Sequence, residues 1–141
     1  MRSEYKYWIS IPTRWSDMDP MNHVNSATYF SYFEIARMSY FDTIGLMEYK
    51  VQGEVGPAVV SQTCNYRQQL FHPSVLDAGI RTTELRDKTF SVCYEFYLEN
   101  TDTLICDGST VIAWVDYTVA KAVPIPEALR EKILAFDSLS V

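Results

Sequence analysis

From Thr28 to Ile44, Tyr29, Phe33, Ala36, Tyr40 and Ile44 recur every three or four residues, and Phe30, Met38 and Phe41 widen the stripe onto a second face. A helix of about 17 residues extends roughly 25 Å, and one this aromatic around its circumference has to be buried, here by a sheet. Gly45 is its expected stop. The rest of the chain offers the strands. Tyr5 to Arg14 is rich in aromatic and branched residues and reads as a first strand ending near Pro12. Ala58 to Tyr66 and Val75 to Leu85 follow after Gly53 and Gly56-Pro57, with His72-Pro73 as a corner between them. Arg86-Asp87-Lys88 makes a polar turn. Phe90, Val92, Tyr94, Phe96 and Leu98 then occupy alternate positions, the period of a strand with one dry face. A hairpin turn at 100–103 leads into Leu104 to Asp116, where Gly108 marks a bulge or a close backbone approach. Pro124-Ile125-Pro126 closes the strand region, and a short helix begins at Pro126. One long helix among antiparallel strands predicts a single α+β domain over residues 1–141.

Composition narrows the function. Hydrophobic residues make up 48% of the 141 and aromatics 14%, enough for a core and against disorder. The net charge of -6, with no long run of Lys and Arg, argues against nucleic acid as a partner. Cys64, Cys93 and Cys106 are widely spaced and match neither a metal knuckle nor a disulfide framework, so they are expected to be buried fillers. His23 and His72 have no zinc-ligand spacing, and neither a metal nor a redox cofactor is expected. No apolar run approaches the roughly 18 residues of a membrane span, and a reduced cytoplasmic protein is the default expectation.

The chemistry-bearing segment is 17–25. Asp17, Asp19, Asn22, His23 and Asn25 crowd two carboxylates, an imidazole and two carboxamides into nine residues just before the long helix. Unpaired backbone N–H groups at a helix start favour a negative charge or a developing oxyanion. Asp19 is placed to act as general base or nucleophile, although Asp19-Pro20 is also an ordinary turn initiator. Asp17, two residues away, is read as structural, paired with Arg14 or the loop backbone. His23 can orient water or a carbonyl, and Asn25 is the expected helix N-cap. Glu34 and Arg37 are spaced for an ion pair.

These residues also carry a resemblance. Arg14-Trp15-Ser16-Asp17-Met18-Asp19, Asn22-His23-Val24-Asn25, Tyr29, Tyr32-Phe33-Glu34 and Ala36-Arg37 resemble the signature of the 4-hydroxybenzoyl-CoA thioesterase-like branch of the hotdog-fold acyl-CoA thioesterases. Gly56-Pro57, Tyr66, Leu85, Phe90-Ser91, Gly108, Trp114-Val115-Asp116 and Pro124-Ile125-Pro126 extend the likeness over nearly the whole chain. The resemblance implies a long helix wrapped by a curved antiparallel sheet, a homodimer or a dimer of dimers, and active sites at the subunit interface. It implies hydrolysis of an acyl-CoA thioester to free acid and coenzyme A, with Asp19 as the catalytic carboxylate and the backbone N–H of Ser26 on the oxyanion. Many members have Gly where this chain has Asn22, so Asn22 is expected either to narrow the loop's conformational range or to touch the acyl group. Tyr29 is a candidate for lining the acyl pocket. The resemblance also puts the turn carrying Arg86 and Lys88, with Ser91 beside it, near the coenzyme A phosphates, which basic side chains hold by charge-assisted hydrogen bonds. The alternatives are a thioesterase acting on acyl carrier protein, which needs a basic docking surface, and a non-catalytic acyl-CoA-binding or regulatory hotdog protein, which needs no competent Asp19.

Overall fold

The computed structural model describes residues 1–139. Its strands are β1 (Tyr7–Pro12), β2 (Val55–Tyr66), β3 (Val75–Leu85), β4 (Thr89–Leu98), β5 (Leu104–Asp116) and β6 (Lys121–Ala122). Its helices are α1 (Thr28–Thr43) and α2 (Glu127–Phe136), with 3-10 turns at Arg2–Glu4, Trp15–Asp17 and Leu46–Glu48. All strand pairs are antiparallel, in the order β1-β3-β4-β5-β2, and β6 pairs with the end of β5. This is a hotdog fold: a curved antiparallel sheet wraps the long helix.

The sheet curves because its ladders slip. Register shifts fall between Val59 and Ser61, between Thr82 and Glu84, and between Phe96 and Tyr97, and such bulges bend and twist the strands that carry them. The inner faces then close on α1. Phe90, Val92, Tyr94 and Phe96 of β4 are all at most 1% exposed, the dry face that their alternation predicts. On α1 the whole stripe Tyr29, Phe33, Ala36, Tyr40 and Ile44 is buried, whereas Met38 lies outside it and is exposed. Phe33 stacks flat on Tyr94 with ring centroids 4.1 Å apart. Gly108 sits beneath Phe33, where a Cβ would come within 2.3 Å of the Thr63 carbonyl oxygen and 2.7 Å of the Phe33 ring. Of the two expectations for Gly108, close approach is the one realised; the bulges lie elsewhere. Gly45, at φ 77°, ends the helix in the left-handed conformation.

Three expectations are corrected. β2 starts at Val55, three residues before the predicted start, because Pro57 sits on an edge strand opposite Trp114, whose own N–H bonds the Lys88 carbonyl. Pro57 therefore breaks no ladder bond. Arg37 does not pair with Glu34: it is buried, and its guanidinium donates to Gln62 Oε1 at 3.3 Å and to the Tyr94 hydroxyl at 3.0 Å. The N-cap of α1 is Ala27, with no side-chain cap, rather than Asn25. The short β6 and the 3-10 turns carry no periodic signal and were not expected. Among the described residues, no helix is long and apolar enough to cross a membrane.

Candidate active site

The loop between Trp15–Asp17 and α1 is tied down by the buried carboxylate of Asp17. It accepts the Arg14 N–H at 2.8 Å, the Arg14 guanidinium at 2.9 Å and the Tyr32 hydroxyl at 2.6 Å. Burial pushes the Asp17 carboxyl up, but the Tyr32 hydroxyl and the Arg14 amide and guanidinium outweigh it and hold the group below the usual carboxylate range. The Asn25 N–H donates to the Asp17 carbonyl at 2.9 Å, and the Val24 N–H donates to the Leu70 carbonyl at 2.7 Å, which fixes the far end of the loop.

Between those anchors the chain turns back on itself. The Asp19 N–H donates to the His23 carbonyl at 3.0 Å, and the Asn22 N–H donates to the Asp19 carbonyl at 3.1 Å. Asn22 stands at the turn with φ 65°, a left-handed conformation that Asn and Gly reach more cheaply than other residues. Its side chain is exposed and is not among the groups lining the cavity described below. Asp19 does initiate the turn: its Oδ1 accepts the Met21 N–H at 2.8 Å. Its Oδ2 lies 3.7 Å from His23 Nδ1, beyond hydrogen-bond length. One carboxylate oxygen thus holds the loop while the other is left open.

Asp19, His23, Ser26 and Tyr29 line one side of a cavity of about 280 Å³, with Val24 behind them. The rest of the lining is Tyr66, Arg67, Gln68 and Gln69, the segment leaving the end of β2. Around Ser26 the backbone is well tied. The Ala27 N–H donates to Asn25 Oδ1 and the Thr28 N–H to the Asn25 carbonyl, both at 2.9 Å. Asn25 therefore caps the turn that leads into the helix, two residues before the helix's own N-cap at Ala27. The Ser26 N–H itself donates to no acceptor among the described residues. Tyr29 is 3% exposed and its hydroxyl likewise has no partner among the described residues; burial pushes its phenol up, so it stays a neutral donor. Residues with an open carboxylate oxygen and an unengaged backbone N–H therefore line one cavity with Val24 and Tyr29, a set able to activate a nucleophile and receive a developing oxyanion.

Not every predicted site residue comes to this cavity. Arg86 turns toward Glu84, Thr89 and Ser91, and the carbonyl of Lys88 is bonded to the Trp114 N–H. Tyr66 pairs with Cys106, and the eight steps from Cys106 to Trp114 span roughly 26 Å at about 3.3 Å per residue. Within one chain Arg86 and Lys88 are thus at the opposite end of the sheet from Asp19, and Ser91, paired with Val111, is five steps from Cys106, roughly 16 Å along the strand. The wall at 67–69 was not anticipated. Arg67 is engaged there with Asp107, its Nε 2.9 Å from Oδ2, and only the return of β2 to the loop, through Tyr66, identifies the segment.

Comparison with known proteins agrees with this architecture. The PA5185 protein of Pseudomonas aeruginosa PAO1 superposes with a TM-score of 0.85 at 30% identity, covering 95% of this chain and 93% of that one. A thioesterase of Thermus thermophilus, solved in complex with coenzyme A and zinc, superposes with a TM-score of 0.82 at 26% identity over 97% of this chain and 98% of that one. The long-chain acyl-CoA thioesterase FadM of Escherichia coli K12 is 24% identical over 123 residues, 87% of this chain and 93% of its own length. The family model of the thioesterase-like superfamily matches residues 13–133, and the chain belongs to that superfamily.

Proposed function

We propose that this protein hydrolyses acyl-CoA thioesters to a free acid and coenzyme A, with Asp19 as general base or nucleophile. The observation that carries the reading is that Asp19, whose Oδ2 is left out of the turn, and Ser26, whose N–H is unengaged among the described residues, line one cavity. The general activity is also supported by membership of the superfamily and by likeness to enzymes such as the acyl-CoA thioesterase FadM. In the general-base form, water attacks the thioester carbonyl carbon while Asp19 takes its proton. The Ser26 N–H receives the oxyanion. The C–S bond then breaks, its electron pair leaves on sulfur, and the thiolate recovers the proton. One well-placed oxyanion donor contributes about 3 kcal/mol to such a step. His23 serves to orient the water or the carbonyl, and Tyr29 lines the acyl group.

The same reading takes the active unit to be a homodimer in the cytoplasm. β2 has a strand neighbour on one side only, its Val59 and Val60 are exposed, as are Ile35 and Met38 of α1, and Val59 and Met38 line one groove. A long edge with no inward charge is the kind that soluble proteins keep covered. Arg86, Lys88 and Ser91 belong to the site in this reading only as groups that a second copy delivers. Coenzyme A is preferred over acyl carrier protein as the thiol carrier because the chain is acidic, with a net charge of -6.

The test is thiol release by wild type and Asp19→Asn across short, medium, long and aromatic acyl-CoAs, with folding and assembly checked in parallel. Turnover should fall at least ~100-fold in an equally folded variant, the scale of a lost general base. Wild type that binds acyl-CoA tightly without turning it over would instead identify a binding protein.

A further inference from the structure

Tyr66 ends β2, forty residues beyond Ser26, yet its hydroxyl donates to the Ser26 carbonyl oxygen at 2.9 Å. That carbonyl belongs to the peptide joining Ser26 to Ala27. The N–H of the same peptide, on Ala27, donates to Asn25 Oδ1 at 2.9 Å. One peptide plane is therefore held at both ends, by a strand on one side and by the loop's own carboxamide on the other. The preceding peptide, which carries the Ser26 N–H, is held at its carbonyl by the Thr28 N–H, also at 2.9 Å. With both neighbouring units fixed, the direction of the Ser26 N–H is fixed as well, and it has no partner among the described residues while Ser26 lines the cavity.

We infer that Tyr66 is a positioning residue for the reaction, its hydroxyl aiming the Ser26 N–H at the thioester oxygen. The inference rests on the reading above that Ser26 supplies the oxyanion donor. Tyr66 has two separable attachments. Its ring packs edge-on against Tyr29 with centroids 5.1 Å apart, which shapes the cavity wall, while its hydroxyl reaches the loop backbone and lies near the Cys64 thiol. The residue is 49% exposed, so losing the hydroxyl has little to do with the stability of the core. A preorganised donor loses effect when its direction is released, because the loop then has to be reoriented during the reaction.

The experiment is steady-state kinetics of Tyr66→Phe on the acyl-CoA that wild type turns over fastest, with Asp19→Asn alongside. Tyr66→Phe keeps the ring contact and removes only the donor. Its kcat should fall about tenfold with KM within about twofold of wild type, the signature of an interaction made in the transition state. Asn25→Ala releases the other end of the same peptide. If both hold one plane, the double variant loses less than the product of the two single losses. Unchanged kcat in Tyr66→Phe while Asp19→Asn is inactive would overturn the inference and leave the proposed function standing. A raised KM with intact kcat would make Tyr66 a binding contact instead. Fully multiplicative losses would also overturn it, and full activity in Asp19→Asn would remove the reading on which it rests.

Discussion

Asp17 and Asp19 are two residues apart and have opposite environments. Asp17 is sealed beneath the loop with three kinds of donor on it; Asp19 spends one oxygen on the turn and leaves the other to the cavity. Extended backbone alone would put residues two apart on one face; they are separated because Asp17 ends the Trp15–Asp17 turn and Asp19 opens the next one, so the chain changes direction between them. Asp17→Asn should lower stability by about 2 kcal/mol at neutral pH, since hydrogen bonds to a charged group are lost while their donors remain. The pH dependence has a definite sign. The folded-state carboxyl is held low, so its contribution is fully present above the unfolded value of about 3.9 and is lost as pH falls through the lower folded value. The gap between wild type and Asp17→Asn in denaturant unfolding should therefore be constant near pH 7 and close below about pH 4; a gap that widens on acidification would refute the assignment. Much of this residue-level division was legible in the sequence, because Arg14, Asp17 and Asp19 interact over three or four positions. The part that Tyr32 plays was not, because it reaches back fifteen residues from a position that reads simply as helix core.

At the level of elements, α1 was readable because its aromatic stripe is a local period, and β4 because its alternation is. What no local pattern encodes is how closely they meet. Phe33 lies flat on Tyr94 only because position 108 of β5 has no side chain, and a Cβ there would strike both the β2 backbone and the Phe33 ring. Backbone on one side and a packed ring on the other leave no room to relax. Gly108→Ala should cost about 2 kcal/mol or more, as overpacking in a tight core does, and lower Tm by about 7 °C or more for a chain this size. An unchanged Tm would mean that α1 sits farther from β5 than described. The same contrast explains the wall at 67–69. It has no periodicity or motif of its own, and it joins the site because β2 ends where the loop begins; the Arg86 turn, by contrast, has an attractive composition and lies at the wrong end of the strands.

The whole molecule is then defined by what its open edge implies. Within one chain, the Arg86 turn and the Asp19 cavity are separated by most of the length of the sheet, and β2 ends the sheet with Val59 and Val60 exposed. A two-fold pairing of such edges would cover the apolar surface of β2 and α1 and is self-complementary, as a two-fold interface must be. If it also brings the turn of one copy to the cavity of the other, activity and assembly are one property. The protein should run as a dimer by light scattering. Val60→Lys, which puts a charge at an exposed position on the edge, should shift it toward monomer and lower turnover in proportion to the monomer formed. In the intact dimer, Arg86→Ala should raise KM for acyl-CoA with kcat nearly unchanged, because phosphate contacts are made equally in ground and transition states. A fully active monomer would show that the site is complete within one chain, and an unaffected KM in Arg86→Ala would remove that turn from coenzyme A recognition while leaving the dimer in place.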